Sequence, residues 1–326
     1  MAKTGYIGID VGGTKTRLSL LDANFKVLED IRLKTLGASN AENFTRILKE
    51  SLSILMDRGR TRRLDIQNVG VGCAGTFNPD GSVKDSPNID FLKGYSFRSV
   101  IAKHTGANVI VTNDVAAGLY GEHQLGAAMG CKHAIGIFIG TGVGGALLLD
   151  GKLHHGPNGS AGDIGNYVLD VPACAAFKKA SVLNDVASRP AIAAAAAELA
   201  ARKRAPYLLK TAGKDPERIS AAALAEAVGH GDTHVEKLIR ERCYLLGVAL
   251  SNFVDFLNPE VIVLGGGLPD KMPALIRTEV EAGIRRNSKL EPVRALEVVT
   301  AQLKGHAVAT GAAKLSADTA LSLIAA

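Results

Sequence analysis

The stretch YIGIDVGGTKTRLSLLD, residues 6–22, constrains the fold most strongly. Two apolar runs, Tyr6–Ile9 and Leu18–Leu21, flank Asp10, Gly12, Gly13, Thr14 and Lys15. A carboxylate closing a hydrophobic strand, followed at once by two glycines, admits two readings. One is a β-hairpin whose glycines supply a tight turn. The other is a phosphate site. There the glycines let backbone N–H groups approach an anion, Thr14 adds a hydroxyl, Lys15 adds a charge and Asp10 offers a ligand to a metal ion. The stretch alone leaves both readings open.

The rest of the chain alternates strands and helices. Lys26–Leu33 reads as a third strand, and SNAENFTRILKESLSILMDR as an amphipathic helix opened by Ser39 and Glu42 at capping-box spacing. NVGVGCAG and ANVIVTND read as buried strands, with Phe97–His104 and Val115–Ala128 as helices. The pattern then restarts: HAIGIFIGTGVGGALLLDGKL is again strand, glycine turn, strand. An architecture that repeats in this way predicts an α/β protein of two related domains. Helices are expected over Ser181–Arg204, Ser220–Val228 and His234–Leu257. The strand EVIVLGGG, a helix, the strand Leu296–Thr300 and a closing helix from His306 follow. So apolar a terminal helix is expected to pack back on a domain.

GTGVGG (Gly140–Gly145) and GVGCAG (Gly70–Gly75) both match G-x-G-x-x-G, a motif that binds dinucleotides only where it opens a helix. Gly145 runs instead into ALLLDGKL, a strand, and Gly75 into the turn-rich TFNPDG. A nicotinamide dehydrogenase is therefore disfavoured, and no Walker sequence G-x-x-x-x-G-K-[ST] occurs. A strand–glycine turn–strand in each half remains, together with VLGGGL (Val263–Leu268) at a strand end. Each reads as structural when taken alone. Together they favour a polyphosphate cradled between two hairpin turns, where ligands of such sheets collect.

A length of 326 residues suffices for two cores, and 47% hydrophobic with 21% charged residues is a globular balance. No apolar run reaches membrane-spanning length, and the first strand begins too early for a signal peptide. Cys73, Cys131, Cys174 and Cys243 are scattered, which points to a reducing compartment, and the chain is read as cytoplasmic. The net charge of +6 favours anionic partners only weakly. RGRTRR (Arg58–Arg63) reads as a solvated helix end, and the absence of Trp disfavours base stacking, so no nucleic-acid or membrane partner is expected.

The segments IDVGGTKTR, TNDVAAGLYGE, IGTGVGGALLLDGKLHHGPNGSAGDIGN and VIVLGGGL, in this order from Tyr6 to about Leu268, closely resemble the ROK family (repressors, open reading frames, kinases) of the actin/hexokinase-like ATPase superfamily. The resemblance implies an α/β fold of two ribonuclease-H-like domains closing on ATP and a sugar. Residues 1–128 with 305–326 would form one domain and 129–304 the other, hinged after Ala128 and before the last helix. It implies a first phosphate loop of Asp10, Gly12, Gly13, Thr14 and Lys15, with Asp10 near Mg2+, directly or through water. A second phosphate loop would comprise Gly140, Thr141, Gly142 and Gly144, and Gly265, Gly266 and Gly267 would border the adenosine. Asp114 would be the catalytic base, although from sequence alone a helix N-cap before Val115 is the simpler reading. Sugar contacts would come from Gly75, Asn88, Asn113, Asp114, Asp163, Asn166 and Asn184.

Departures from the family pattern fall on the sugar side. Asp163 and Asn166 stand at the Glu and His of its E-x-G-H segment, and Ala116 at an Asn. The family's C-x-C-G-x-x-G-C-x-E segment aligns with Ala175, Phe177 and Val182 at its cysteines and Asn184 at its Glu. Cys174 lies out of register, and Asp185 is adjacent to Asn184. No structural zinc is therefore expected. The activity implied is transfer of the γ-phosphate of Mg·ATP to the 6-hydroxyl of a hexose, glucose first, by a homodimer. An amino sugar such as N-acetylmannosamine or N-acetylglucosamine, or fructose or allose, is the alternative. A non-catalytic sugar sensor ranks lower, as does a repressor, since only five residues precede Tyr6.

Overall fold

The computed structural model describes residues 2–38, 40–78, 80–86, 89–169, 181–289 and 291–324. The opening stretch is an antiparallel pair, β1 (Lys3–Val11) and β2 (Lys15–Leu21), extended by β3 (Val27–Lys34). On its other edge β1 pairs in parallel with β4 (Leu64–Cys73), and β4 with β7 (Asn108–Asn113). The crossovers are α1 (Ala41–Thr61) and α2 (Phe97–Thr105), with a small ribbon of β5 (Thr76–Phe77) and β6 (Val83–Asp85) before α2. The strand order is β3-β2-β1-β4-β7.

After α3 (Asp114–Leu125) the plan repeats. β8 (Ala134–Ile139), β9 (Val143–Leu149) and β10 (Lys152–His154) are antiparallel, and β11 (Val261–Gly265) and β12 (Glu297–Thr300) join them in parallel. The order, β10-β9-β8-β11-β12, matches that of the first sheet. These are the two ribonuclease-H-like units of the actin/hexokinase type. The second carries α4 (Leu183–Ala187), α5 (Arg189–Ala201), α6 (Pro206–Thr211), α7 (Ala221–Gly229), α8 (Thr233–Leu257), α9 (Gly267–Lys271) and α10 (Pro273–Asn287).

Two local expectations are corrected. The helix expected over Ser181–Arg204 is two helices, split at Ser188, whose extended backbone (ψ 154°) and Oγ cap α5. Pro190 explains the split, since it lacks the N–H that a continuous helix would use and fits only a first turn. The cap of α1 is Asn40, whose Oδ1 accepts from the Asn43 N–H at 2.8 Å. Ser39 lies outside the described residues, and α6 was not anticipated.

One face of the first sheet buries Ile7, Ile9, Leu18 and Leu20 against Phe44, Leu48, Leu52 and Leu55 of α1. The last helix, α11 (Ala307–Ile324), packs back on this sheet together with α3. It approaches so closely that a side chain at Gly8 or Gly70 would run into the backbone of Ala309 or Ala312. Gly311 meets α3 in the same way at Ala117 and Gly121.

The chain passes between the two sheets at residues 126–133 and returns at 301–306. Glu122, fully buried near the end of α3, holds both passages. Its Oε2 accepts from Ala127 N–H (2.8 Å) and Gln302 N–H (3.0 Å), and its Oε1 from Leu303 N–H (2.8 Å). Hydrogen bonds to an ionised acceptor contribute about 1.5–3 kcal/mol each. Glu122→Ala is therefore expected to lower the unfolding free energy in a urea titration by about 3 kcal/mol or more. Glu122→Gln, which keeps one acceptor oxygen, is expected to fall between.

Candidate active site

The parallel register brings the sequence-predicted acids to one end of the first sheet. Asp10 on β1 stands level with Gly72 on β4 and Thr112 on β7, one residue before the row Val11, Cys73, Asn113. β1 and β2 then join through the turn 12–14, where Gly12 N–H donates to the Lys15 carbonyl (3.1 Å) and Thr35 N–H to the Thr14 carbonyl (3.0 Å). Gly13 is buried, while Thr14 and Lys15 are exposed at the tip.

At the end of β7, Asn113 caps α3: its Oδ1 accepts from the N–H groups of Val115 (2.9 Å) and Ala116 (3.1 Å). The cap thus falls one residue earlier than the simpler sequence reading placed it. Asp114 becomes the first helical residue, its Oδ1 accepting from the Val115 N–H (3.0 Å). The Asn113 amide nitrogen donates to the Gly75 carbonyl (3.3 Å), so Asn113 and Gly75 are joined to each other. Asn88 lies outside the described residues.

The second sheet presents its own turn opposite. Gly140 N–H donates to the Gly142 carbonyl (2.8 Å), and the start of α5 ties the turn down through Arg189 N–H to the Gly140 carbonyl (3.0 Å). Gly140 is open, with nothing near the place a side chain would take. The other glycines have packing reasons. A Cβ at Gly144 would sit 2.6 Å from Val115 of α3, and one at Gly265 would sit 2.7 Å from the Phe138 ring. Gly266 takes a left-handed φ of 96°, and Gly267 opens α9, where a Cβ would make only an ordinary contact with Ala221. Asp163, exposed beyond β10, accepts from Gly165 N–H (3.2 Å), and Asn166 is exposed. Asn184 is half-buried, its Oδ1 accepting from Val143 N–H at 2.7 Å.

Charge is concentrated here. Burial, then the neighbouring Asp114 charge, pushes Asp10 up to about 7, with Arg17 opposing. Burial pushes Asp114 up to about 6 against its backbone hydrogen bonds, and Asp163 adds to the rise. The influence of Asp163 means that a group from the second half of the chain acts on one from the first. Burial and these two carboxylates also push the Cys73 thiol well up, so it stays neutral. Among the described residues no three histidine, cysteine or acidic side chains gather into a metal-holding group. Of the four positions expected to lack zinc ligands, Ala175 and Phe177 lie outside the described residues, Asn166 is exposed and Val182 forms a backbone bridge with Val168.

Sequence reasoning missed Arg17. It pairs with Asp10 across the hairpin and meets His306 Nδ1 (2.9 Å) and Asp30 (3.6 Å). The signal was present, since a two-residue loop, Gly13 and Thr14 closed by the pair Gly12 and Lys15, puts Arg17 opposite Asp10.

The chain matches the ROK family over residues 6–319. It is 30% identical over 272 residues to a glucokinase of Thermotoga maritima, covering 82% of this chain and 83% of that one. An N-acetylmannosamine kinase of Escherichia fergusonii is 27% identical over 277 residues, 83% and 87% of the two chains. Among solved structures, a ROK family glucokinase from Streptomyces griseus in complex with glucose and AMPPNP superposes with a TM-score of 0.83 at 26% identity, covering 96% of this chain and 99% of that one. With a match spanning nearly its whole length and the same two-sheet fold, the chain belongs to the ROK family.

Proposed function

We propose that this chain is an ATP-dependent sugar kinase, transferring the γ-phosphoryl group of Mg·ATP to the 6-hydroxyl of a hexose. The observation that carries the reading is Asp114. It is a half-buried carboxylate with its proton affinity raised to about 6, at the head of a helix, between Asp10 on its own sheet and Asp163 from the other. A sugar hydroxyl is a poor nucleophile, and a carboxylate poised near neutrality is suited to take its proton. Positioning and charge neutralisation supply most of the remaining acceleration.

The residues fit the nucleotide and its ion. Asp10 is a hard oxygen donor in a site where the two carboxylates repel, and Mg2+ is commonly held by one or two carboxylates plus substrate phosphates. Asp10 would hold it directly or through water, and the ion when bound neutralises charge on the phosphates. Gly12, Gly13, Thr14 and Lys15 on one turn and Gly140, Thr141 and Gly142 on the other would offer donors to the phosphates. Gly144 supports the second turn by letting Val115 approach. Gly265 to Gly267 would border the adenosine, and Asp163, Asn166 and the Asn113–Gly75 pair would frame the sugar. The halves 1–128 with 305–326 and 129–304 would close on both substrates and exclude water. The reading expects a cytoplasmic homodimer. Among the described residues no helix is long and apolar enough to cross a membrane.

Glucose is the substrate we favour, as in the names of the Thermotoga and Streptomyces relatives. N-acetylmannosamine is the second reading, supported by the Escherichia relative and by Asp163 standing where the family has Glu. A coupled assay with Mg·ATP over glucose, mannose, fructose, allose, N-acetylglucosamine and N-acetylmannosamine tests this. Turnover dependent on one of these sugars is expected, and sugar binding without turnover would favour a sensor instead. Asp114→Asn is expected to lower kcat about 10²–10⁴-fold with little change in nucleotide affinity.

The raised carboxylates set the pH dependence. Below about pH 6 Asp114 holds its proton and kcat/KM is expected to fall, levelling above. In the metal-free protein the folded state keeps protons on Asp10 and Asp114 where the unfolded chain has lost them. The contribution of these two groups to stability is thus fully present below the ordinary carboxylate range and is lost as pH rises through about 6 and about 7. Thermal melts in a chelator are expected to show Tm falling over that window. Asp10→Asn is expected to flatten the fall and raise Tm by a few degrees above it.

A further inference from the structure

We propose that Asn184 is a positioning residue for the second glycine turn, fixing residues 140–143 to receive the nucleotide phosphates, and not a sugar contact. The proposal rests on the sugar-kinase reading.

Three observations place it there. Asn184 Oδ1 accepts from Val143 N–H at 2.7 Å, at the point where the turn becomes β9. The Asn184 N–H donates to the Gly165 carbonyl at 2.9 Å, so the residue is pinned at both ends. The surroundings are also shaped around this one orientation. A Cβ on Gly165 would lie 2.5 Å from Asn184 Nδ2, and one on Gly142 would lie 3.3 Å from Oδ1. The amide thus fills a slot that two glycines keep clear.

The turn needs such a brace. Its glycines lose the most backbone freedom on being ordered and have no side chains with which to fix themselves. Besides Asn184, the turn is tied by its internal Gly140–Gly142 bond and by Arg189 N–H on the Gly140 carbonyl. Donors aimed at a polyphosphate are useful only if held in place before it arrives. A neutral amide does this without adding negative charge beside the phosphates. The brace also continues toward the sugar side, because the Gly165 whose carbonyl holds Asn184 donates its own N–H to Asp163 (3.2 Å). Asp163, Gly165, Asn184 and Val143 therefore form one chain of hydrogen bonds between the two substrate regions.

The test separates nucleotide from sugar. Calorimetric titration with Mg·AMPPNP would be run on the wild-type protein, Asn184→Leu and Asn184→Asp, with KM for ATP and for the sugar measured in parallel. Asn184→Leu, similar in size but without the acceptor, is expected to weaken nucleotide binding about tenfold, the worth of one ordinary hydrogen bond. Its sugar KM is expected to stay within about twofold. Asn184→Asp keeps the acceptor and is expected to recover most of the affinity once about 0.5 M salt screens its charge. A general loss of structure would move both substrates together and would not be rescued by Asp. If Asn184→Leu raises the sugar KM and leaves nucleotide affinity unchanged, Asn184 is a sugar contact and the proposal is overturned. If the wild-type protein binds no Mg·AMPPNP, the kinase reading itself fails, and the proposal with it.

Discussion

The relation between the two sheets depends on one buried carboxylate. Glu122 accepts hydrogen bonds from the stretch that leaves the first sheet and from the stretch that returns to it, across sequence separations of 5, 180 and 181 residues. No other kind of side chain does this as well, because an ionised carboxylate has acceptor sites on two oxygens and no donor to misplace. Glu122 also belongs to α3, whose first residue is Asp114. At 1.5 Å per residue the helix separates the joint from the candidate base by only about 12 Å. The joint and the candidate base thus share one helix.

The faces of α3 divide accordingly. Val115, Gly118 and Glu122, spaced by three and four, meet Gly144, Phe138 and the two crossings of the second half. Ala117 and Gly121, four apart, meet Gly311 of the last helix. One stripe serves each partner, as the helical period requires. Gly118 and Gly121 follow from this, since a side chain at either would run into Phe138 or the last helix. The polar end of the helix is built differently. Asn113 takes over the capping of Val115 and Ala116, and the Asp114 carboxylate is left in a site whose burial resists its ionisation. A protein selected for stability alone would not gather two such acids at one sheet end.

What the sequence disclosed and what it hid divide along physical lines. The two hairpins, their glycine turns and the repeated strand order were legible, because period-2 patterning and turn residues are local signals. The split at Ser188 was written in Pro190 but was masked by the strong helical propensity of the alanine run beside it. Asn113 and Asp114 are both good caps, so only coordinates decide which of them caps. Glu122 sits in YGEHQ and reads as a solvated helix acid, since its partners lie some 180 residues away. Asn184 shows a further limit. Alignment fixes a residue's position along the chain but not the direction of its side chain, and here the direction is toward the glycine turn.

That last case bears on how the two turns differ. The first is held by its own hairpin and by β3, through Gly12 N–H to the Lys15 carbonyl and Thr35 N–H to the Thr14 carbonyl. The second has no third strand at its tip and is held instead by α4 and α5, through Asn184 and Arg189. Both turns end a strand beside the same acids, yet one is braced from within its sheet and the other from the adjoining helices. The brace of the second turn is therefore reached from the loop that carries Asp163. Asn184 accepts from Val143 at one end and donates to Gly165 at the other, and Gly165 donates to Asp163. A side chain on Gly165 or Gly142 would crowd the Asn184 amide, so both glycines keep room for the orientation that holds Val143.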